Sequence, residues 1–315
     1  MKNIDLVHSA TQILKQCSPK IKDEKITIFC GESSQHTGQL IYQAAKTISK
    51  NVLLLQMDLS SLFRNQKPEP LNYLINDSGL IVITDKNITP QKLKRAFTNE
   101  PEAHVLCINA PNEQTMNRWM MANHPRIALR THKIADIFSI GRRMKLNTPD
   151  GTALDMSIQS SVIVADAPMI NGSGHICLLP SGEVKIFPDP ESINGKMAVN
   201  FLAGTTNQND PATLIVKNGL VHQIRGKSMT AALLRKQLKR CKPQYRKIVN
   251  FSIGTNDTAS FGNSHFEDQK VLGSACVFIG EKAEVKPMLT SGVMLSPSIY
   301  IDGRKILEKG YLALN

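Results

Sequence analysis

The first 145 residues alternate between short apolar runs and amphipathic stretches, and that alternation most constrains the fold. KITIFCGE reads as a buried strand ending in a turn, QLIYQAAKTIS as a helix, NVLLLQMD as a strand, PLNYLIND as a helix and GLIVITD as a strand. TPQKLKRAFT follows as a helix with Thr89 as its N-cap and Pro90 at its first position. HVLCIN is another strand, and helices are predicted from about Asn112 to Met121 and from about Ile134 to Met144. Such alternation predicts a mainly parallel sheet covered by helices. The turn CGESSQHTG leads into the first of these helices. Helix N–H groups there could hold an anion, but the loop lacks both GxGxxG and the P-loop Lys-Ser/Thr, so a capped helix start is the preferred reading.

After about Asn147 the texture changes. TPDGTALDMSI has hairpin character at Asp150-Gly151, and SSVIVADAPMI and GHICLLPSGEVKIF read as strands. LIVKNGLVHQIRG and SIYIDGRKILEKG are hairpins, with Asn218-Gly219 and Asp302-Gly303 supplying the residues a type I′ turn needs. The expected fold class is α/β: an N-terminal doubly wound domain over 1–146 and a C-terminal β-rich α+β domain over 147–315.

An apolar fraction of 41% and a charged fraction of 20% indicate a soluble globular protein. No apolar run approaches the roughly 20 residues that cross a bilayer, which argues against a membrane partner. At the N-terminus Ile4, Val7, Ile13 and Leu14 have helical spacing, but Asp5 and His8 interrupt any signal-peptide core, so a cytoplasmic protein is expected. The six cysteines are scattered without CxxC spacing, and reduced buried thiols are expected. A net charge of +12 raises the question of nucleic acid. The densest basic segment, LLRKQLKRCKPQYRK, puts Leu233, Leu234, Leu238 and Cys241 on one helical face and Arg235, Lys236, Lys239 and Arg240 on the rest. That is a solvated amphipathic helix. With one Trp and no aromatics among the basic residues, base stacking has little to work with, and nucleic acid is not the expected partner.

Three motifs carry a more specific message: LPSGEV around Glu183, SIGTN after Asn250, and EDQKVLGS after Phe266. In this order they resemble the C-terminal half of the thermophilic leucyl aminopeptidase family, relatives of aminopeptidases T and S. The ring-opening dihydroxypyridine dioxygenases look like cousins in the same superfamily. The resemblance implies a C-terminal domain of the aminopeptidase T/S type and, by family habit, a homo-oligomer. It also implies a metal site whose ligands are mostly missing here. A Glu is implied where this chain has Asn250, a His where it has Cys276, and an H-x-D pair where it has Leu289 and Ser291; Glu183 is the retained ligand. Gly182, Gly254, Gly273, Gly292 and Gly303 stand at positions that support a preserved scaffold.

A neutral amide, a hydroxyl and a leucine cannot replace anionic and imidazole ligands, so no metal cofactor is expected. Two alternatives remain open. A rebuilt mononuclear site could use His175, Glu183, His265 and Glu267; on a strand, His265 and Glu267 would share a face and Asp268 would not, whereas the bland reading of HFED is loop polarity. Cys276 could be a nucleophile with His265 or His222 as base, against an inert thiol in the buried strand SACVFIG. Glu183 itself could bind a ligand's amine or hydroxyl, pair with a local Lys or Arg, or act as a general acid or base with a pKa raised by an apolar pocket. The expected function is metal-free binding of a peptide, amino-acid derivative or small cyclic molecule, in a biosynthetic or peptide-tailoring pathway. Glu183, Asn250, Cys276 and Ser291 would form the ligand site, with Glu183 and Asn250 converging on one cleft. The rivals are a metal-dependent hydrolase or ring-cleaving oxygenase with substitute ligands, and a non-catalytic interaction partner.

Overall fold

The computed structural model describes the chain except residues 1–5, 19–23, 65, 86–87, 98–103, 110–112, 171–175, 206–209, 240–241, 243–245, 263, 282–287 and 314–315. It separates into two compact units, Met1–Ala128 with Ala167–Ser181, and Leu129–Asp166 with Gly182–Asn315. The division therefore differs from 1–146 and 147–315. Residues 129–146 belong with the second unit, and 167–181 return to the first.

The first unit runs α1 (Leu6–Cys17), β1 (Ile26–Cys30), α2 (Gln35–Lys46), β2 (Val52–Gln56), α3 (Glu69–Asn76), β3 (Leu80–Thr84), α4 (Pro90–Ala96), β4 (Val105–Ile108) and α5 (Glu113–Met120). Its five-stranded sheet is parallel throughout and has the order β2-β1-β3-β4-β8, where β8 is Ile176–Leu179. One face packs Ile26, Ile28, Leu80 and Val82 against α1, α2 and α5. The other packs Phe29, Ile81 and Ile83 against α3, α4 and a 3-10 turn at Leu59–Phe63. Burial on both faces explains why these strands read as continuous apolar runs. Thr89 caps α4 as expected, its hydroxyl accepting from the Lys92 N–H at 3.2 Å. At the start of α2 the Ser34 hydroxyl does not cap the helix but donates to the carbonyl of Thr84.

Helix α6 (His124–Ile140) begins ten residues before the position the apolar spacing suggests. Asn123 starts it by accepting the Arg126 N–H at 3.0 Å, with Pro125 in the first turn, where its missing N–H costs nothing. It stops before Gly141, so Met144 lies not in a helix but in β5 (Arg143–Asn147). Then come β6 (Ala153–Ser157), β7 (Val162–Asp166), β9 (Glu183–Phe187), β10 (Asn194–Val199), β11 (Phe201–Leu202), β12 (Ala212–Lys217), β13 (Leu220–Arg225), α7 (Met229–Leu238), β14 (Ile248–Gly254), α8 (His265–Asp268), β15 (Ala275–Glu281), β16 (Met288–Met294), β17 (Ser298–Ile301), β18 (Arg304–Glu308) and β19 (Tyr311–Leu312). These make an eight-stranded sheet, β13-β12-β10-β6-β5-β17-β18-β19, and a six-stranded sheet, β11-β16-β15-β14-β9-β7, both antiparallel. Their inner faces share one apolar core with α6 and α7, through residues such as Phe138, Met144, Val184, Leu214, Leu234, Phe251 and Val277.

The run GHICLLPSGEVKIF is thus two strands in two sheets, β8 in the parallel one and β9 in the antiparallel one. Both type I′ hairpins form, with φ of 47° and 70° at Asn218-Gly219 and 49° and 84° at Asp302-Gly303. The basic helix α7 ends at Leu238 and is capped by the Ser228 hydroxyl; Leu234 and Leu238 are buried, while Cys241 lies outside the described residues. No helix among the described residues is long and apolar enough to cross a membrane.

Candidate functional site

Strand register puts the motif residues on the outer face of the six-stranded sheet. Glu183 faces Asp166 on β7 and Gly254 on β14. One step along, Lys185, Ser252, Cys276 and Val293 lie in a row across β9, β14, β15 and β16. A further step brings Asn250, Phe278 and Ser291 into the next row. Because side chains alternate with a period of two, these rows share one face. SIGTN and EDQKVLGS pack backbone to backbone beside it. The Gly254 N–H donates to Ser274 O, Asn256 N–H to Lys270 O and Gly273 N–H to Gly254 O, at 3.1, 2.9 and 3.1 Å. A Cβ on Gly254 would stand 2.0 Å from the Val271 carbonyl oxygen, so only glycine fits.

Glu183 is fully buried, and its Oε1 accepts from the Lys270 ammonium and, at 3.0 Å, from Lys185. Lys270, also buried, donates to Asp166 Oδ2 as well. Burial opposes ionisation of Glu183, but Lys185 and Lys270 outweigh it and hold its pKa down to about 2. The same balance acts on Lys270: burial disfavours the ammonium, yet Asp166 and Glu183 raise its pKa above the ordinary lysine value. The apolar pocket that would raise the pKa of Glu183 is therefore not what surrounds it. Glu183 is an ion-paired carboxylate, not a poised acid.

Asn250 shares the face but does not meet Glu183. Four residues of β14 separate it from Gly254, about 13 Å of strand, with the Lys185 and Ser252 row between. Burial, then Glu183 and Asp268, push the Cys276 thiol well up, and its Sγ donates to the Asp268 carbonyl at 4.0 Å. His222 is exposed on β13, in the other sheet, and His265 bonds elsewhere, so neither serves Cys276 as base.

HFED is neither loop nor strand. The Ser264 hydroxyl accepts the Glu267 N–H at 3.1 Å and starts a single helical turn, α8, that buries both acids. Glu267 Oε1 accepts from Ser260 N–H at 3.0 Å, and Asp268 accepts from Gly204 and Gly262 N–H at 2.7 and 2.8 Å, so both carboxylates hold neighbouring loops. His265 turns toward the sheet, with Nε2 2.9 Å from Ser291 Oγ and Nδ1 2.6 Å from Gln269 Nε2. Gln269 Nε2 also donates to the His265 carbonyl at 2.9 Å, which fixes the amide's orientation. Nδ1 is then the acceptor and Nε2 carries the proton toward Ser291. Burial lowers the His265 pKa and keeps the ring neutral. In that tautomer it cannot take a proton from Ser291.

These residues do not fit a metal. The Glu183 charge is balanced by an ammonium, Cys276 is held as a thiol, and Asn250 and Ser291 are neutral. The rebuilt set does not assemble either: Glu267 and His265 are committed as described, and His175 lies outside the described residues. Among the described residues, no three of His, Cys, Asp or Glu are grouped to hold one. Lys270, Lys185 and Asp166 went unnoticed in the sequence. The available signal was the i, i+2 spacing of Glu183 and Lys185 on a strand, which puts an ammonium beside the retained carboxylate.

The family described as NicX, 2,5-dihydroxypyridine 5,6-dioxygenase, matches residues 5–276, and the chain belongs to it. The structure of the 2,5-dihydroxypyridine dioxygenase from Pseudomonas putida KT2440 matches with a TM-score of 0.75 at 14% identity, covering 98% of this chain and 97% of that one. Wild-type AmpT from Thermus thermophilus matches with a TM-score of 0.66 at 10% identity, covering 98% and 99%. At these identities the likeness is one of fold, a fold shared by an oxygenase and an aminopeptidase T. No curated protein matches the chain.

Proposed function

We propose that this family member is a metal-free, catalytically divergent protein that binds a small polar ligand on the outer face of its six-stranded sheet. The observation that carries the reading is the Lys270 ammonium, which bonds Glu183, the one retained ligand position, and Asp166 beside it where a divalent cation would need the Glu183 carboxylate. Two buried acceptors, Glu183 Oε2 and Asn250 Oδ1, have no hydrogen-bond partner among the described residues. Buried acceptors are costly when unmet, which favours a ligand that brings N–H or O–H donors. A peptide, an amino-acid derivative or a small cyclic molecule would qualify, in a biosynthetic or peptide-tailoring role. On this reading the protein works in the cytoplasm as a homo-oligomer, and neither nucleic acid nor membrane is its partner.

The family description supports a second reading, ring-cleaving oxygenation of a small heteroaromatic molecule, which would require a metal held by other groups. Elemental analysis of protein purified without chelator separates the two. The first reading expects well under one equivalent of iron, zinc, manganese or cobalt; a full equivalent that survives dialysis would favour the second.

A further inference from the structure

Between Asp210 and Asp257 the chain runs 46 residues without an acid, and it carries ten lysines and arginines there. This stretch folds into β12, β13, α7 and β14, all in the second unit. Where α7 packs on β13 there is a pocket of about 320 Å³. Val221 and Leu238, both buried, give it an apolar wall, and His222, Arg235, Lys239 and Arg246 give it a polar one. No carboxylate is among the described residues that line it. None of the four polar side chains joins an ion pair among the described residues. The flanking residues 240–241 and 243–245, outside the described set, are Arg, Cys, Pro, Gln and Tyr by sequence and bring no acid. The pocket is separate from the Glu183 site, because Arg246 precedes β14 and Glu183 lies opposite Gly254 at that strand's other end.

The fold itself holds these groups together. Arg235 Nη2 donates to the carbonyls of Ile224 and Gly226 at 3.0 and 2.7 Å, which fixes its guanidinium against β13 and leaves Nε and Nη1 as further donors. The Arg246 carbonyl accepts the Val221 N–H at 2.9 Å, so that arginine starts from backbone tied to the same strand. Arg246 Nε is buried and has no hydrogen-bond partner among the described residues. A buried donor on a charged group is costly when unmet, and an acceptor in the pocket would relieve it. Along β13, Gln223 pairs with Ile215 and Val221 with Val216, so a bulge leaves His222 outside the ladder and in the pocket wall. The C-terminal end of α7 supplies about half a negative charge. That balances only part of the three full positive charges of Arg235, Lys239 and Arg246. Guanidinium N–H groups lie in a planar fork that matches the oxygens of a phosphate, and two such forks with an ammonium suit a multiply charged group.

We infer that this pocket binds the phosphate group of a small molecule, with Arg235, Lys239 and Arg246 meeting its oxygens and Val221 and Leu238 packing on the part that carries it. The test is isothermal titration calorimetry of the full chain with pyrophosphate, with inorganic phosphate and with a DNA duplex of mixed sequence. It is run at physiological salt, where charges beyond about 8 Å are largely screened. Pyrophosphate is expected to bind, and inorganic phosphate more weakly. Arg246→Gln should weaken pyrophosphate at least about tenfold, through the loss of a charge-assisted fork. Lys239→Gln, on the exposed rim, should weaken it at least about threefold and decides the matter if the first variant does not fold. Lys236→Gln removes the same charge from an exposed position of α7 outside the lining and should change the affinity less than about twofold. Failure of pyrophosphate to bind, or equal losses from Lys236→Gln and Lys239→Gln, would overturn the inference. So would a duplex that binds more tightly than pyrophosphate and is weakened by the same variants, which would assign the pocket to a nucleic-acid backbone.

Discussion

Replacing Lys270 by Met tests the site's electrostatics most directly. The substitution keeps an unbranched apolar stem and removes the ammonium, leaving Glu183 fully buried with Lys185 alone and Asp166 without its lysine. Breaking a buried pair by deleting one partner costs about 3–5 kcal/mol, because the remaining charge is uncompensated. Lys185 stays 3.0 Å from Glu183 and blunts this, so a loss of about 3 kcal/mol is expected. The pH dependence gives an independent measure. Glu183 has a folded pKa of about 2 against an ordinary value of 4.5, so its contribution is fully present above pH 4.5 and is lost as pH falls toward 2. That interval corresponds to about 3 kcal/mol, of the same order as the cost of the substitution. Glu183→Gln should flatten the stability profile across this interval, and adding it to Lys270→Met should recover part of the loss. Trp119 lies in the first unit, so its fluorescence reports the wrong region. Hydrogen exchange at the amides of β9 and β14, followed through urea at several pH values, reads the second unit. A cost below about 1 kcal/mol for Lys270→Met, or an unchanged profile in Glu183→Gln, would refute the reasoning.

Gly254→Ala should destabilise the second unit by several kcal/mol, of order 3 or more, because its Cβ would overlap the Val271 carbonyl; β14 exchange rates check this, and near-neutrality would show that the backbone yields. Cys276 should react with iodoacetamide at pH 8 at least about 100-fold more slowly in the folded protein than in urea, as peptide mass spectrometry can follow; fast native labelling would return it to the list of nucleophiles. His265 should appear in nitrogen-15 spectra as the Nε2–H tautomer and stay neutral below the usual histidine pKa, with Ser291→Ala costing about 1 kcal/mol; a protonated Nδ1 would instead allow Nε2 to act as a base toward Ser291.

What could be read from the sequence follows from local physics. The parallel strands announced themselves because burial on both faces forces continuous apolar runs, and the hairpins because Asn-Gly and Asp-Gly are among the few pairs that accept two left-handed residues in succession. The start of α6 was legible in Asn123 and Pro125 but lay outside the apolar periodicity. The split of GHICLLPSGEVKIF was not legible, since a strand's residues do not say which sheet their hydrogen bonds join. HFED misled because a single capped turn has no period to detect. The three family motifs are neighbours in the fold, and the register shows how: two of them share backbone hydrogen bonds, and the third contributes Glu183 directly opposite Gly254.

The partners of Glu183 stayed hidden because lysine in a sequence reads as solvent-exposed charge. Only the fold shows Lys270 buried between two carboxylates that lie far from it in the chain. The consequence is one of charge arithmetic. Glu183 and Asp166 carry two negative charges, and Lys270 and Lys185 return two positive ones, so these four described side chains balance without any ion. Adding a divalent cation would leave two uncompensated positive charges beside a fully buried carboxylate unless Lys270 withdrew, and withdrawal would strand an ammonium inside the protein. A neutral ligand that brings a donor to Asn250 Oδ1 or to Glu183 Oε2 meets no such barrier. The same lysine that makes the outer face of the sheet hostile to metals thus leaves it suited to polar, uncharged chemistry.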